Sequence, residues 1–262
     1  MTFAAIASPL LFAAFVWWFS TGAILWLDRR PRETFGWSFA ATTIIAIGAL
    51  IALFVTAAQE TIASAYIAFA AAIAIWGWHE MSFLMGFITG PRRQPLPAGT
   101  TGWRRFSLAT ATIIHHEVAL ALTAAAIVAL TWGQPNQIGA ITFLVLWALR
   151  LSAKFNLFLG APYRAEEMLP PHLTHLKSYF RNRRMNALFP LSLAGGAALA
   201  WALGTIAYAP DVSTFTLTGF SLVLSLTVLG VIEHVFLFIP PPNALLWGWA
   251  GSKPEERNAP LG

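Results

Sequence analysis

The sequence of 262 residues contains no cysteine. That absence excludes disulfide frameworks, thiolate nucleophiles, thiolate zinc sites and cysteine-ligated iron–sulfur clusters. Charge is also scarce: Asp, Glu, Lys and Arg make up 10% of the chain, against about 25% in an ordinary soluble domain. So few charges cannot cover a water-soluble fold of this length. Internal repeats, low-complexity tracts and any stretch resembling a separate soluble domain are lacking too. What fills the chain is apolar: 57% hydrophobic residues, 20 Phe and 12 Trp, with a mean hydropathy of +0.65. This composition points to an all-α integral membrane protein with several spans.

A bilayer core about 30 Å thick takes roughly 20 apolar residues per helix. Seven charge-poor runs of that length occur, at about 5–27, 35–57, 62–88, 107–132, 138–160, 187–208 and 215–239. They predict seven transmembrane helices in one polytopic domain covering 1–262. The net charge of +5 concerns orientation rather than nucleic acid, for which no partner role is expected. Of the 16 Lys and Arg, 14 fall in alternate connections: Arg29, Arg30 and Arg32; Arg92, Arg93, Arg104 and Arg105; Arg164, Lys177, Arg181, Arg183 and Arg184; and Lys253 with Arg257 in the tail. The other connections, around Gln59-Glu60, Gly133 to Gln137 and Pro210-Asp211, hold none. By the positive-inside rule the N-terminus lies outside and the C-terminus in the cytoplasm. Span one, whose basic flank follows it, fits an uncleaved anchor rather than a cleavable signal.

The long connections 89–106 and 161–186 are the places with room for extramembrane structure. Pro91, Pro95 and Pro97 make the first irregular. In the second, Glu166-Glu167-Met168 precedes a run from His172 to Arg184 that reads as a short basic amphipathic helix on the membrane face. Arg92, Arg93, Arg104, Arg105, Lys177, Arg181, Arg183 and Arg184 are the candidates for docking a partner or anionic membrane lipid. His172 and His175 have the spacing to chelate a metal on one helical face, but they lack a third ligand.

Ionisable groups at membrane depth cost about 2.5–3.5 kcal/mol each on insertion scales, so they face a bundle interior or a cavity. Here they are His79 and Glu80 in span three, His115, His116 and Glu117 in span four, Arg150 and Lys154 in span five, and Glu233 and His234 in span seven. At about 1.5 Å per residue, His79 to Glu80 and His115 to Glu117 lie roughly 12–14 Å from the inner ends of their spans, with Arg150 at about 15 Å and the others shallower by about 6 Å. If the helices are neighbours, these groups meet in one cluster. Three readings stand side by side: a structural ion-pair network, a metal site, and a tetrapyrrole or quinone pocket among Trp76, Trp78, Phe83 and Trp147. Against the metal, His–Glu neighbours point about 100° apart and no Glu-x-x-His face occurs. Trp17-Trp18, in mid-span, reads as helix or lipid packing. Gly86 with Gly90 reads as a G-x-x-x-G close approach at the end of span three, as do Gly195-Gly196 and Gly204 in span six.

The stretch Trp76-Gly77-Trp78-His79-Glu80-Met81-Ser82-Phe83-Leu84-Met85-Gly86-Phe87-Ile88-Thr89-Gly90-Pro91-Arg92-Arg93 carries a resemblance. So do Trp17 to Gly22, Gly102 to Phe106, Leu130 to Gly160, Leu169 to Leu173, Met185 to Pro190 and Glu233 to Leu237. Over nearly its whole length the chain resembles the photosynthetic complex assembly protein family PuhE of phototrophic bacteria. The resemblance implies an accessory protein of the bacterial inner or intracytoplasmic photosynthetic membrane. It implies, as partners, reaction-centre and core-antenna subunits or a bacteriochlorophyll-biosynthesis enzyme such as the di-iron oxidative cyclase. It supplies no catalytic residues. A ligand-binding enzyme subunit holding a metal, quinone or tetrapyrrole in the His/Glu cluster is the alternative.

Overall fold

The structure, a computed structural model, describes residues 2–164, 166, 169–240 and 242–250. The tail cations Lys253 and Arg257, and Glu167 and Met168 of the acidic run, lie outside the described residues. Seven helices are long and apolar enough to cross a membrane. They are α1 (Phe3–Asp28), α2 (Phe35–Ala57), α3 (Ile62–Leu84), α4 (Gly102–Thr131), α5 (Ile138–Leu159), α6 (Leu188–Ala207) and α7 (Thr214–Val235), followed by a short α8 (Asn243–Trp247). No strand occurs among the described residues.

The core lies on α3 and α7, the most enclosed helices. α3 packs on α2, α5, α7 and α1, and α7 packs on α6, α1, α5 and α3. Buried Ala65, Ala68, Ala71 and Ala72 keep α3 slim on its packed faces. With lipid no more apolar than a leucine side chain, such small residues favour association because they let backbones approach closely. Phe69, Phe143 and Leu222 are fully buried between them. At the end opposite the basic connections, Asn136 closes the bundle. Its amide donates to Thr56 O and Ser64 O at 3.1 and 3.3 Å, and its Oδ1 accepts from Ile138 N at 3.1 Å.

Three expectations change at the basic end. First, α3 stops at Leu84 rather than 88. Gly86 turns into the left-handed region at φ 83°, and the N–H groups of Phe87 and Ile88 fold back onto Ser82 O at 2.8 and 3.0 Å. Glycine takes that conformation without the steric cost of a Cβ. Second, the chain beyond runs extended against the middle of α4, with Arg92 N donating to Ala111 O at 3.0 Å and His116 N to Thr89 O at 2.9 Å. A Cβ on Gly90 would run into the α4 backbone, reaching Thr112 C at 2.5 Å. The Gly86/Gly90 pair is therefore a turn and a backbone-to-backbone contact, not a helix-packing motif. Third, α4 starts at Gly102, five residues early, so its first turns project past the end of α3. Measured from Leu84, Glu80 and His79 sit only about 6–8 Å in, shallower than the span lengths implied.

In α6, Gly196 does make the expected close approach, to Val231 of α7, whereas Gly195 faces open space. The segment 171–184 is a 3-10 stretch, Pro171–Tyr179, continuing as extended chain, in place of the expected amphipathic α-helix. Beyond α7 the chain doubles back along α1. Trp18 Nε1 donates to Leu246 O at 2.7 Å and Trp247 Nε1 to Trp18 O at 3.3 Å, so Trp17-Trp18 anchors the C-terminal segment as well as packing.

Candidate functional site

Trp147, Arg150 and Lys154 follow one another at spacings of three and four, which puts them on one face of α5. Opposite them stand the carboxylates of three other helices. Arg150 Nη2 lies 3.2 Å from Glu80 Oε2 of α3, and the guanidinium also has Glu233 and Glu117 as acidic neighbours. Lys154 Nζ pairs with Glu117 Oε1 of α4 at 2.5 Å, while Trp147 Nε1 donates to Glu117 Oε2 at 3.3 Å. Glu233 of α7 accepts from Trp17 Nε1 at 2.7 Å. Each carboxylate thus has a charged or indole donor, the arrangement that lowers the cost of ions at this depth. The pairs differ in openness: the Arg150 side chain is 48% exposed and that of Lys154 22%.

His234 belongs to a different network. Its Nδ1 faces Gly230 O at 2.7 Å and its Nε2 faces Ser152 Oγ at 3.0 Å. A carbonyl only accepts, so Nδ1 carries a proton. Ser152 Oγ donates to Ser192 Oγ at 2.9 Å and Asn156 Nδ2 to the same Ser192 Oγ at 2.9 Å. Both ring nitrogens are used. His234 ties α7 to α5 and α6 and has no lone pair left for a ligand.

His79 and His116 are 1% exposed each, with ring centroids 6.3 Å apart. His79 Nε2 meets Thr123 Oγ1 at 2.9 Å, and Trp78, Phe83 and Phe143 pack around the two rings. Three buried atoms here have no partner: His79 Nδ1, His116 Nδ1 and Glu80 Oε1. These are the uncommitted polar groups of the cluster. His115 does not join them; it is exposed, about 100° around α4 from His116. Among the described residues no three His, Asp or Glu side chains converge on a metal-sized site.

The basic end is a stapled platform rather than a loose pair of loops. Tyr179, 3% exposed, accepts from Arg92 Nε at 2.6 Å and donates to Gln94 O at 3.0 Å. Arg105, 4% exposed, donates to Phe158 O at 2.8 Å and Tyr179 O at 2.5 Å and lies over the Phe158 ring. Arg105 is thereby removed from the docking surface, and Arg92 is half-buried in the same staple. Arg93, Arg104, Arg183 and Arg184 are exposed; Lys177 and Arg181 are half-buried. His172 Nε2 donates to Leu84 O at 2.7 Å, fastening the 3-10 stretch to the end of α3. Burial pushes the His172 imidazole below its ordinary range; the Leu84 bond opposes this, and Arg32 and Arg93 add to it. His175 is lowered for the same first reason. With Nε2 of His172 committed to a carbonyl, only its Nδ1 remains for a ligand. Sequence reasoning missed Tyr179, Trp17, Ser152, Ser192 and Asn186. Of these only Asn186, directly before span six, had a readable signal: its Oδ1 caps α6 by accepting from Leu188 N and Phe189 N.

Comparison with known proteins gives two matches. A family model described as "Protein of unknown function (DUF3623)" matches residues 3–258. A Rhodobacter capsulatus protein, described as an uncharacterized 30.4 kDa protein in the puhA 5′ region, is 39% identical over 241 residues, covering 90% of this chain and 87% of its own length. No solved structure matches the chain significantly.

Proposed function

The chain belongs to the DUF3623 family, and we propose that it is a multi-pass accessory protein of bacterial photosynthesis, of the PuhE type, acting as a non-catalytic scaffold or anchor. Two supports are independent: the resemblance to PuhE in the motifs quoted above, and a relative encoded in the puhA 5′ region. The observation that carries the scaffold reading is the stapled basic platform. Arg92, Arg105 and Tyr179 spend their hydrogen bonds on holding it rigid, leaving Arg104, Arg183 and Arg184 presented outward. A rigid surface with exposed arginines suits a partner of complementary charge, because the ordering cost of docking is reduced in advance. With the basic side cytoplasmic, the partner is a reaction-centre or core-antenna subunit, or a biosynthetic enzyme such as the di-iron oxidative cyclase, meeting the protein at the inner face of the photosynthetic membrane.

The test is mild-detergent purification of the tagged protein from photosynthetic membranes, with mass spectrometry of what accompanies it. Stoichiometric recovery of one such partner, reduced at least tenfold by Arg104→Ala with Arg184→Ala, supports the scaffold. Recovery unchanged by those substitutions removes the platform as the docking surface.

A second reading is favoured by the orphaned atoms of His79, His116 and Glu80. A histidine Nδ1–H would donate to a quinone or tetrapyrrole carbonyl, or the set would hold a metal completed by a further group, at the α3–α4 contact. An absorption spectrum or metal content that disappears on His79→Phe or His116→Phe, in protein that still folds, would move the function there.

A further inference from the structure

Between the start of α2, the end of α3 and the 3-10 stretch lies a recess of about 420 Å³, lined by Arg32, Phe35, Met85, Phe87, Arg93 and His172 together with Gly36 and Gly86. Among the described residues no carboxylate lines it. Neither Arg32 nor Arg93 has an acidic partner among the described residues. Arg93 makes one long bond, from Nη2 to Gly86 O at 3.3 Å, so most donors of both guanidinium groups are free. Both line the same recess as His172, and both charges act on its ring. That ring is held in place by its Nε2–H bond to Leu84 O.

The walls are apolar, and the recess sits where α2 begins and α3 ends, at the level of lipid headgroups. Trp37, 82% exposed one turn away, is the type of residue that marks this level. Below it, Phe87 stacks on Phe39 at 4.5 Å and Phe39 on Trp78 at 5.5 Å. Ile44, Ile47 and Ile51 continue the exposed apolar surface down α2.

We propose that this recess binds the phosphate of an anionic phospholipid between Arg32 and Arg93, with the acyl chains lying along the outer face of α2. Guanidinium forks match phosphate oxygens two at a time. A lipid with an added cationic headgroup would bring a like charge against both arginines, so phosphatidylglycerol is favoured over phosphatidylcholine. The site is separate from the docking platform at Arg104 and Arg184, and it stands whether or not the accessory role does.

The test uses the full chain, purified and delipidated in mild detergent, and reads lipid binding by native mass spectrometry and by thermal shift. Phosphatidylglycerol should bind at least tenfold more tightly than phosphatidylcholine. Arg32→Gln and Arg93→Gln should each weaken it roughly tenfold, the loss of one charged hydrogen bond. Arg104→Gln should leave it unchanged. The Arg32 side chain has no bond to the protein among the described residues, so Arg32→Gln gives a reading even if Arg93→Gln fails to fold. Equal affinity for the two lipids, or no change in Arg32→Gln, overturns the proposal. Displacement of the lipid by inorganic phosphate at comparable concentration would show a free-phosphate site and overturn the lipid assignment.

Discussion

Substituting Glu117 by Ala removes the carboxylate from a pair in which Lys154 is 22% and Glu117 15% exposed. Lys154 Nζ has no other partner among the described residues, and the Trp147 indole N–H loses its acceptor as well. Breaking a buried pair from one side costs about 3–5 kcal/mol when the reference state is in water. In a bilayer the less folded state keeps both groups at depth, where they find other partners and interhelical hydrogen bonds are worth only about 0.6–2 kcal/mol. The expected loss is therefore about 2–3 kcal/mol, read as a lower Tm in mild detergent and less folded protein in membranes. Replacing both partners, Glu117→Leu with Lys154→Met, leaves no unpaired ion and should return stability to within about 1 kcal/mol of the parent. If the double variant is as unstable as Glu117→Ala alone, the pairing argument is wrong. If it folds normally but photosynthetic complexes fail to accumulate, the pair does more than hold α4 to α5.

Three further outcomes follow from the geometry. Gly90→Ala should cost about 2–5 kcal/mol, because its Cβ would separate the loop from α4 and break the Arg92–Ala111 and His116–Thr89 bonds; Gly195→Ala, facing open space, should leave Tm within about 3 °C. Asn136→Ala should lower stability by about 2–3 kcal/mol through three lost bonds, and Asn136→Asp should not restore it, since a carboxylate cannot donate to Thr56 O and Ser64 O. His172 is held below its ordinary pKa by burial, so its contribution is fully present above about pH 6.5 and is lost as pH falls through that value toward its lower folded pKa. Thermal scans from pH 7.5 to 5 should show a decline that is shallower in His172→Gln; identical slopes would remove His172 as the source.

Seven spans were legible because apolar runs of membrane length need no tertiary information. The C-terminal end of α3 and the start of α4 were not. Gly86 and Gly90 look the same in sequence whether they face a helix or cap one, and the deciding bonds come from Ser82, Ala111 and Thr89, whose backbone groups carry no sequence signal. That error carried into the depth arithmetic, which counted His79 and Glu80 from residue 88 rather than from Leu84. The membership of the polar cluster was readable from the cost of burying charge, but its wiring was not. His115 and His116 are indistinguishable by type, and only packing turns one outward and the other into the bundle. Arg105 likewise looked like its neighbour Arg104. It became structural because Phe158 O and Tyr179 O, distant in sequence, converge on its guanidinium.

The division of hydrogen-bonding capacity decides where a ligand inside the membrane could act. His234 spends both nitrogens on Gly230 and Ser152, and Glu117 and Glu233 each take an indole N–H. The uncommitted buried atoms at the contact of α3 with α4 are on His79, His116 and Glu80, and Asn156 Oδ1 beside the His234 network is a further one. The same contact carries the backbone bonds that dock the 89–92 segment, with His116 contributing its N–H to Thr89 and its ring to the orphaned set. A ligand there would press on the residues that seat the basic platform. The two functional readings are thus mechanically linked through His116. His116→Phe tests the link: loss of partner recovery together with a lipid-binding recess still intact would show that the α3–α4 contact governs the platform and not the whole basic end.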